Sequence, residues 1–423
     1  MIPPLPPIAR RRRQGGTDRR IAPRPLPAHL MAAALLWTSS RAALPSLKSA
    51  SMTSSAGASG AVATRLRRLG AEIDALGPEQ VGEALDRELA RRAQCFIAGL
   101  TAYRGHSFRR HRAQAPVIWR RGTARLLDYG QQAGAPAVLI VPSLINRFYV
   151  LDLLPERSFL RHLAGQGLRP LLLDWGTPGK TERGFGLDYY IARRLEAALA
   201  AAVAAAAGPV GVLGYCMGGL LALALALRRP DQVARLALLA TPWDFHAERE
   251  REARLLASLA DRLASFADAA GALSVPAIQS LFLALDPFLA ERKFIRFAGL
   301  DPDGEAARSF VALEDWINDG VPLALRVAQE CARAWYGANA PGRGEWRVAG
   351  REVKPQHLRI PALVVLPSRD RIVPPRSAEP LAAAIAGAAV LRPPLGHIGM
   401  MASASAPDAL WTAIADWLRA RLD

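Results

Sequence analysis

Short, largely apolar runs, two of them broken by a single arginine (Arg169 and Arg235), alternate with longer amphipathic or alanine-rich stretches through most of this chain. Ala137-Val-Leu-Ile-Val141, Leu168 to Leu173, Val210-Gly-Val-Leu213, Val233 to Leu239, Pro361-Ala-Leu-Val-Val-Leu366 and Ala388-Ala-Val-Leu391 are each of strand length. Runs that are apolar at every position, not at every second one, predict strands buried on both faces. Between them lie helical stretches, such as the alanine-rich Tyr189 to Ala207, stopped at Gly208-Pro209, and the segment from Gly218 to Leu227. That alternation predicts an α/β fold with a mostly parallel central sheet flanked by helices. Pro116 to Tyr129 predicts early edge strands, and Leu410 to Leu418 a closing amphipathic helix.

The rhythm breaks over residues 245–355, which are mainly helical with aromatic and acidic residues interleaved, as in Phe310-Val-Ala-Leu-Glu-Asp-Trp316. We expect a helical cap inserted over the C-terminal edge of the sheet. The chain thus divides into a disordered, basic, Pro-rich leader (1–65), a helical lead-in (66–114), a first part of the core (115–244), the cap insertion (245–355) and a second part of the core (356–423). There are no internal repeats.

At 423 residues and 51% hydrophobic, the chain sustains one large core. Cys95, Cys216 and Cys331 are far apart and form no CxxC pair, so neither a disulfide scaffold nor a cysteine metal site is indicated, and a cytoplasmic setting is expected. The seven histidines are scattered, without an HExxH, and no metal is expected. The net charge of +17 reads first as a basic surface and next as attraction for an anionic substrate or an acidic granule surface. No nucleic-acid motif accompanies it. Arg10 to Arg13, Arg19, Arg20 and Arg24 crowd the start of the chain ahead of the apolar run Met31 to Trp37. That run is far too short to span a bilayer, so no transmembrane segment is expected. Its order weakly resembles a secretory signal, but a disordered tail is the favoured reading, with Met31 and Met52 as alternative starts.

The candidate chemistry centres on Gly214-Tyr-Cys-Met-Gly218, followed by Gly219. It lies between an apolar strand and an apolar helix, the setting of a nucleophile elbow. The turn is sharp, small residues are needed two before and two after the nucleophile, and the helix N-terminus favours negative charge there. Cys216 is therefore the candidate nucleophile. The backbone N–H of Met217 is one expected oxyanion donor, and a second is expected near Ser143 or Leu144, after the strand 137–141. An acid and a histidine should follow in that order. Asp370 comes directly after the strand 361–366, and His397, in Gly396-His-Ile-Gly399, lies one strand later. Asp244 is a rival acid after the preceding strand, while His162, His246 and His357 stand in poorer contexts. Asn146, Trp175 and Tyr215 are candidate substrate-lining residues, and Cys95 reads as core. A thiol in place of a hydroxyl tilts the chemistry toward exchange between thioesters, since a thiolate is both a good nucleophile and a good leaving group.

Over roughly residues 115 to 420 the chain resembles the poly(3-hydroxyalkanoate) synthase family, within the α/β-hydrolase superfamily. The resemblance rests on Pro142-Ser-Leu-Ile-Asn-Arg-Phe-Tyr-Val-Leu-Asp-Leu153, Asp174-Trp-Gly-Thr-Pro178, Gly214 to Gly219, Leu313-Glu-Asp-Trp316, Tyr336-Gly-Ala-Asn339, Gly350 to Pro361, Asp370-Arg-Ile-Val-Pro-Pro375 and Gly396-His-Ile-Gly-Met400. The short, partner-dependent type is most similar. The resemblance implies an α/β-hydrolase fold and a catalytic set of Cys216, Asp370 and His397. It implies polymerisation of (R)-3-hydroxyacyl-CoA with release of CoA, coenzyme A entering as the substrate's thioester and no cofactor being bound. It further implies a homodimer or a separate synthase subunit as partner, at the surface of polyester granules. Two departures stand out. Arg371 follows the acid where the family usually has His, and residues up to about 110 do not match the long N-terminal domain of the large synthases. The alternatives are a cysteine-dependent thioesterase, esterase or depolymerase, and a non-catalytic granule-associated or partner-binding protein.

Overall fold

In a computed structural model, which describes residues 20, 23–48, 60–110, 115–130, 132, 134–248, 250–258, 260, 262–267, 271–283 and 286–420, the apolar runs become the strands of one eight-stranded sheet. In chain order these are β1 (Val117–Arg121), β2 (Ala124–Asp128), β3 (Ala137–Val141), β4 (Arg169–Asp174), β5 (Val210–Tyr215), β6 (Val233–Leu239), β7 (Ala362–Val365) and β8 (Ala389–Leu391). Their spatial order is β1-β2-β4-β3-β5-β6-β7-β8. β2 runs antiparallel to both its neighbours, and all pairs from β4 to β8 are parallel. β3, β5 and β7 are buried along their whole length, which is why their sequences do not alternate.

Two apolar layers sandwich the sheet. One joins Leu139, Val212 and Leu238 to the helix that follows Cys216 and to Leu195 and Leu199. The other joins Ile140, Leu213 and Leu239 to Phe159, Leu163, Trp411 and Ile414. Cys216 borders both layers, at the end of β5.

The structure corrects part of the disordered leader expected over 1–65. Helix α1 (Leu26–Lys48) is docked, burying Ala33 and Leu44, with the Trp37 indole donating to Glu291 at 3.4 Å. Its alanines and leucines are strong helix formers, and their apolar side chains have a surface to cover. Residues 1–19, 21–22 and 49–59 lie outside the described residues. Helices α2 (Gly60–Leu76) and α3 (Pro78–Gly105) follow. The helix after Cys216 is α4 (Met217–Arg228).

Residues 245–355 are mainly helical, including α5 (Leu289–Ala298) and α6 (Glu305–Asn318), with short strands and π turns between. This stretch does not sit over the sheet alone. Phe294, Phe297, Ala307 and Val311 form a separate core with Phe96, Leu100 and Tyr103 of α3. The helices approach so closely that a Cβ at Gly99 would lie 2.0 Å from the Phe294 carbonyl oxygen. The ion pair of Arg92 with the buried Glu291, at 2.8 Å, joins the same two helices. No helix among the described residues is long and apolar enough to cross a membrane.

Candidate active site

The site is built on the turn from β5 into α4. Cys216 occupies it with φ 56° and ψ −127°, a conformation that costs a non-glycine residue energy and that its surroundings must enforce. Its N–H donates to the Leu239 carbonyl of β6 at 2.8 Å, and its own carbonyl accepts from Gly219 at 2.9 Å. The flanking glycines are demanded by space. A Cβ at Gly214 would lie 2.5 Å from the Gly219 Cα, and one at Gly218 would lie 2.1 Å from the Val141 carbonyl oxygen. The start of α4 is thus pressed against the end of β3.

The acid and histidine loops extend the pairing of β7 with β8. Leu366, Ser368 and Arg369 donate backbone N–H bonds to Leu391, Pro393 and Leu395 at 2.8, 2.9 and 3.0 Å. This zipper carries Asp370 beneath His397. Asp370 Oδ1 accepts from the N–H groups of Ile372 and Val373 at 2.8 and 2.9 Å, and its Oδ2 lies 2.7 Å from His397 Nδ1. Both side chains are buried, at 5% and 8% exposure, so the pair is shielded from water. His397 also lies within electrostatic reach of Cys216. Burial opposes a charged imidazole here. The neighbouring Cys216 and the hydrogen bond to Asp370 outweigh it and raise His397 to about 10.

Tyr215, a candidate substrate-lining residue, packs directly against the histidine. It is buried, its ring stacks on His397 at 5.2 Å between centroids, and its hydroxyl donates to the His397 carbonyl at 3.1 Å. Trp175 and Asn146 border a small cleft beside the loop after β3, together with Ser143 and Leu144. The buried Trp175 indole donates to the Pro142 carbonyl at 3.0 Å, and Ser143 Oγ accepts from the Ile145 N–H at 3.0 Å. The loop expected to offer the second oxyanion donor is thus tied down on the side of the elbow.

The rival acid Asp244 is engaged elsewhere. It accepts from the Asn339 side-chain amide at 2.8 Å and the His246 N–H at 2.9 Å, as a loop-stabilising carboxylate. His246 holds the Tyr336 carbonyl at 2.7 Å, and His162 lies 3.4 Å from the Thr412 hydroxyl. Burial pushes the Cys331 thiol far above its ordinary range, away from reactivity. One neighbour of the nucleophile escaped the motif reading. Tyr336, at the end of the helical insertion, lies within electrostatic reach of Cys216. No spacing rule ties it to the elbow, and only its place in the resemblance had drawn attention to it. Among the described residues no cluster of three or more His, Cys, Asp or Glu could hold a metal ion.

Several known proteins are similar to this chain. The poly(3-hydroxyalkanoate) polymerase subunit PhaC of Allochromatium vinosum is 29% identical over 305 residues, covering 70% of this chain and 85% of that one. The subunit of the same name from Haloferax mediterranei is 27% identical over 319 residues, covering 72% of this chain, and the match spans only 63% of that relative's length. Among solved structures, a hydrolase from Pseudomonas aeruginosa overlaps with a TM-score of 0.47 at 19% identity, covering 70% of this chain and 94% of that one. The alpha/beta hydrolase fold family matches residues 136–403, from just before β3 to just beyond His397. The chain belongs to that family, as an alpha/beta-hydrolase-fold enzyme distantly related to the poly(3-hydroxyalkanoate) polymerase subunits.

Proposed function

We propose that this protein is a cysteine acyltransferase that polymerises (R)-3-hydroxyacyl-CoA into poly(3-hydroxyalkanoate) with release of CoA. The observation that carries the reading is the hydrogen-bonded pair His397 and Asp370 within electrostatic reach of Cys216, with a thiol at the elbow. In this reading the thiol proton moves to His397, and Asp370 fixes the tautomer and orientation of the imidazole. The Cys216 thiolate attacks the thioester carbonyl. The tetrahedral oxyanion is met by the N–H of Met217 and by an N–H of Ser143 or Leu144. The C–S bond to CoA then breaks, and CoA leaves with the proton from His397. In the second half-reaction, His397 takes the proton of the 3-hydroxyl of another acyl chain. The alkoxide attacks the acyl-cysteine, forming the ester and freeing Cys216. A thioester acyl-enzyme suits this exchange, because its free energy lies close to that of the incoming substrate. The net charge of +17 draws the anionic CoA phosphates. The proposed setting is the cytoplasm at the surface of polyester granules, with a second copy of the chain or a separate subunit as partner.

Hydrolysis of the same acyl-cysteine is the second reading. Water replaces the hydroxyl acceptor, and the Cys216 thiol is half-buried, not sealed. Membership in a hydrolase-fold family favours this reading too. The two are separated by incubating purified protein with (R)-3-hydroxybutyryl-CoA, following free CoA and sizing the acyl product in the same sample. High-mass polyester is the expected product. Free hydroxy acid alone establishes a thioesterase, and no CoA release on this substrate overturns both readings for it.

A further inference from the structure

A histidine base has to be held twice: its ring must keep one plane, and the backbone that carries it must stay in place. The contact of Nδ1 with Asp370 at 2.7 Å fixes one edge of the His397 imidazole. It does not fix the plane of the ring, because the torsion that turns an imidazole is broad and roughly two-fold. Nor does it hold the main chain. The loop has little structure of its own, and a helix of four residues, Gly399–Ala402, follows it. The N–H groups of Met400 and Met401 donate to the carbonyls of Gly396 and Ile398 at 3.0 and 2.9 Å. No backbone N–H among the described residues reaches the His397 carbonyl.

Tyr215 supplies both holds. Its hydroxyl donates to the His397 carbonyl at 3.1 Å. Its ring lies across the imidazole, with the centroids 5.2 Å and the planes 28° apart. Tyr215 ends β5, where it pairs with Leu239 of β6, and it is 5% exposed. It belongs to the apolar layer that also contains Leu395, Met400 and Met401, which flank the histidine along the chain. The hydrogen bond is buried, so water does not stand in for either partner. Tyr215 is also joined to Cys216 by one peptide bond. A single side chain therefore ties the base to the turn that carries the nucleophile, by a route that does not pass through Asp370.

We propose that Tyr215 is a positioning residue, which sets the His397 imidazole against Cys216 through its hydroxyl and its ring. The inference deepens the acyl-cysteine reading above and rests on its pairing of Cys216 with His397. Phenylalanine at this position keeps the ring and leaves a buried carbonyl without its donor, so the histidine loop is free to shift.

The test is the rate at which iodoacetamide alkylates Cys216, read by mass on the Cys216 peptide, in wild type, Tyr215→Phe, His397→Ala and the double variant. Tyr215→Phe should slow alkylation by about fivefold, the rate equivalent of about 1 kcal/mol. In the His397→Ala background the same substitution should change the rate by less than about twofold, since Tyr215 acts through the imidazole. Equal slowing in both backgrounds marks a role in packing the elbow alone and overturns the inference. Alkylation of Tyr215→Phe at the wild-type rate overturns it too, whatever the variant loses in urea stability. Should Tyr215→Phe fail to fold, nuclear Overhauser contacts between the ring protons of Tyr215 and His397 in wild type decide: their presence sustains the inference and their absence overturns it. Alkylation needs no acyl substrate, so the two readings fail separately. The expected alkylation pattern without CoA release from (R)-3-hydroxybutyryl-CoA removes the proposed function on that thioester and leaves Tyr215 as the residue that positions His397.

Discussion

Trp175→Phe probes whether the loop after β3 is held in place for the reaction. The indole N–H donates to the Pro142 carbonyl at 3.0 Å, with both groups buried. That carbonyl lies where the start of α4 meets the loop, since a Cβ at Gly218 would come within 2.8 Å of it. Phenylalanine keeps an aromatic ring against Tyr190, whose centroid is 5.6 Å away, but it supplies no donor. An unpaired buried carbonyl costs about 1–3 kcal/mol. The protein either bears that cost as lost stability or relieves it by letting the Pro142–Leu144 segment move. Movement withdraws an oxyanion donor, and at 1.36 kcal/mol per tenfold the same energy corresponds to roughly a 5- to 150-fold loss of rate. Complete loss of a donor sets the ceiling, at about 10²- to 10³-fold. The expected result is a lower kcat for thiol release with KM little changed, alongside a modest fall in urea stability. Stopped-flow acylation and urea unfolding on the same preparation measure the two parts. A variant that loses stability but acylates at the wild-type rate refutes the view that the indole positions the loop.

Three further outcomes follow from the same geometry. Asp370→Asn keeps the shape but not the charge that orients His397, and single-turnover acylation should fall by about 10³- to 10⁴-fold. His397 lies at about 10 in the folded protein against an ordinary 6.5, so its stabilising contribution is complete below about pH 6.5 and disappears as pH rises toward 10. In Cys216→Ala the neighbour that holds it up is gone while burial remains, so the imidazole midpoint, followed by NMR, should fall. Gly218→Ala places a methyl 2.1 Å from the Val141 carbonyl oxygen, and the resulting backbone shift should cost about 1–3 kcal/mol in denaturant unfolding and lower acylation more than Trp175→Phe does.

The central strands were legible because each is apolar at nearly every position, a pattern that a doubly covered sheet produces. The run at 233–239 becomes a strand with those limits, and the run at 137–141 does the same. The elbow was legible because steric demand forces small residues to fixed offsets around Cys216. Asp370 and His397 could be nominated from chain order, although their 2.7 Å contact depends on the pairing of β7 with β8. The alanine- and leucine-rich helix α1 was hidden by its Arg- and Pro-rich surroundings. The environment of Tyr336 was hidden for a different reason: it arises from a contact between the end of the insertion and the loop after β6, about ninety residues earlier in the chain.

The close crossing of α3 and α5 has a consequence for how the molecule breathes. With backbone against backbone at Gly99 and Phe294, and Glu291 held by Arg92, neither helix can open without the other. Their amide protons should therefore exchange with solvent as one cooperative unit, slower than those of the short helix Glu250–Ser258, where Ala253 is the one buried residue. Any opening of the insertion that involves α5 then takes α3 with it, so that the lead-in helix, which contributes nothing to the chemistry, sets the free energy of that opening.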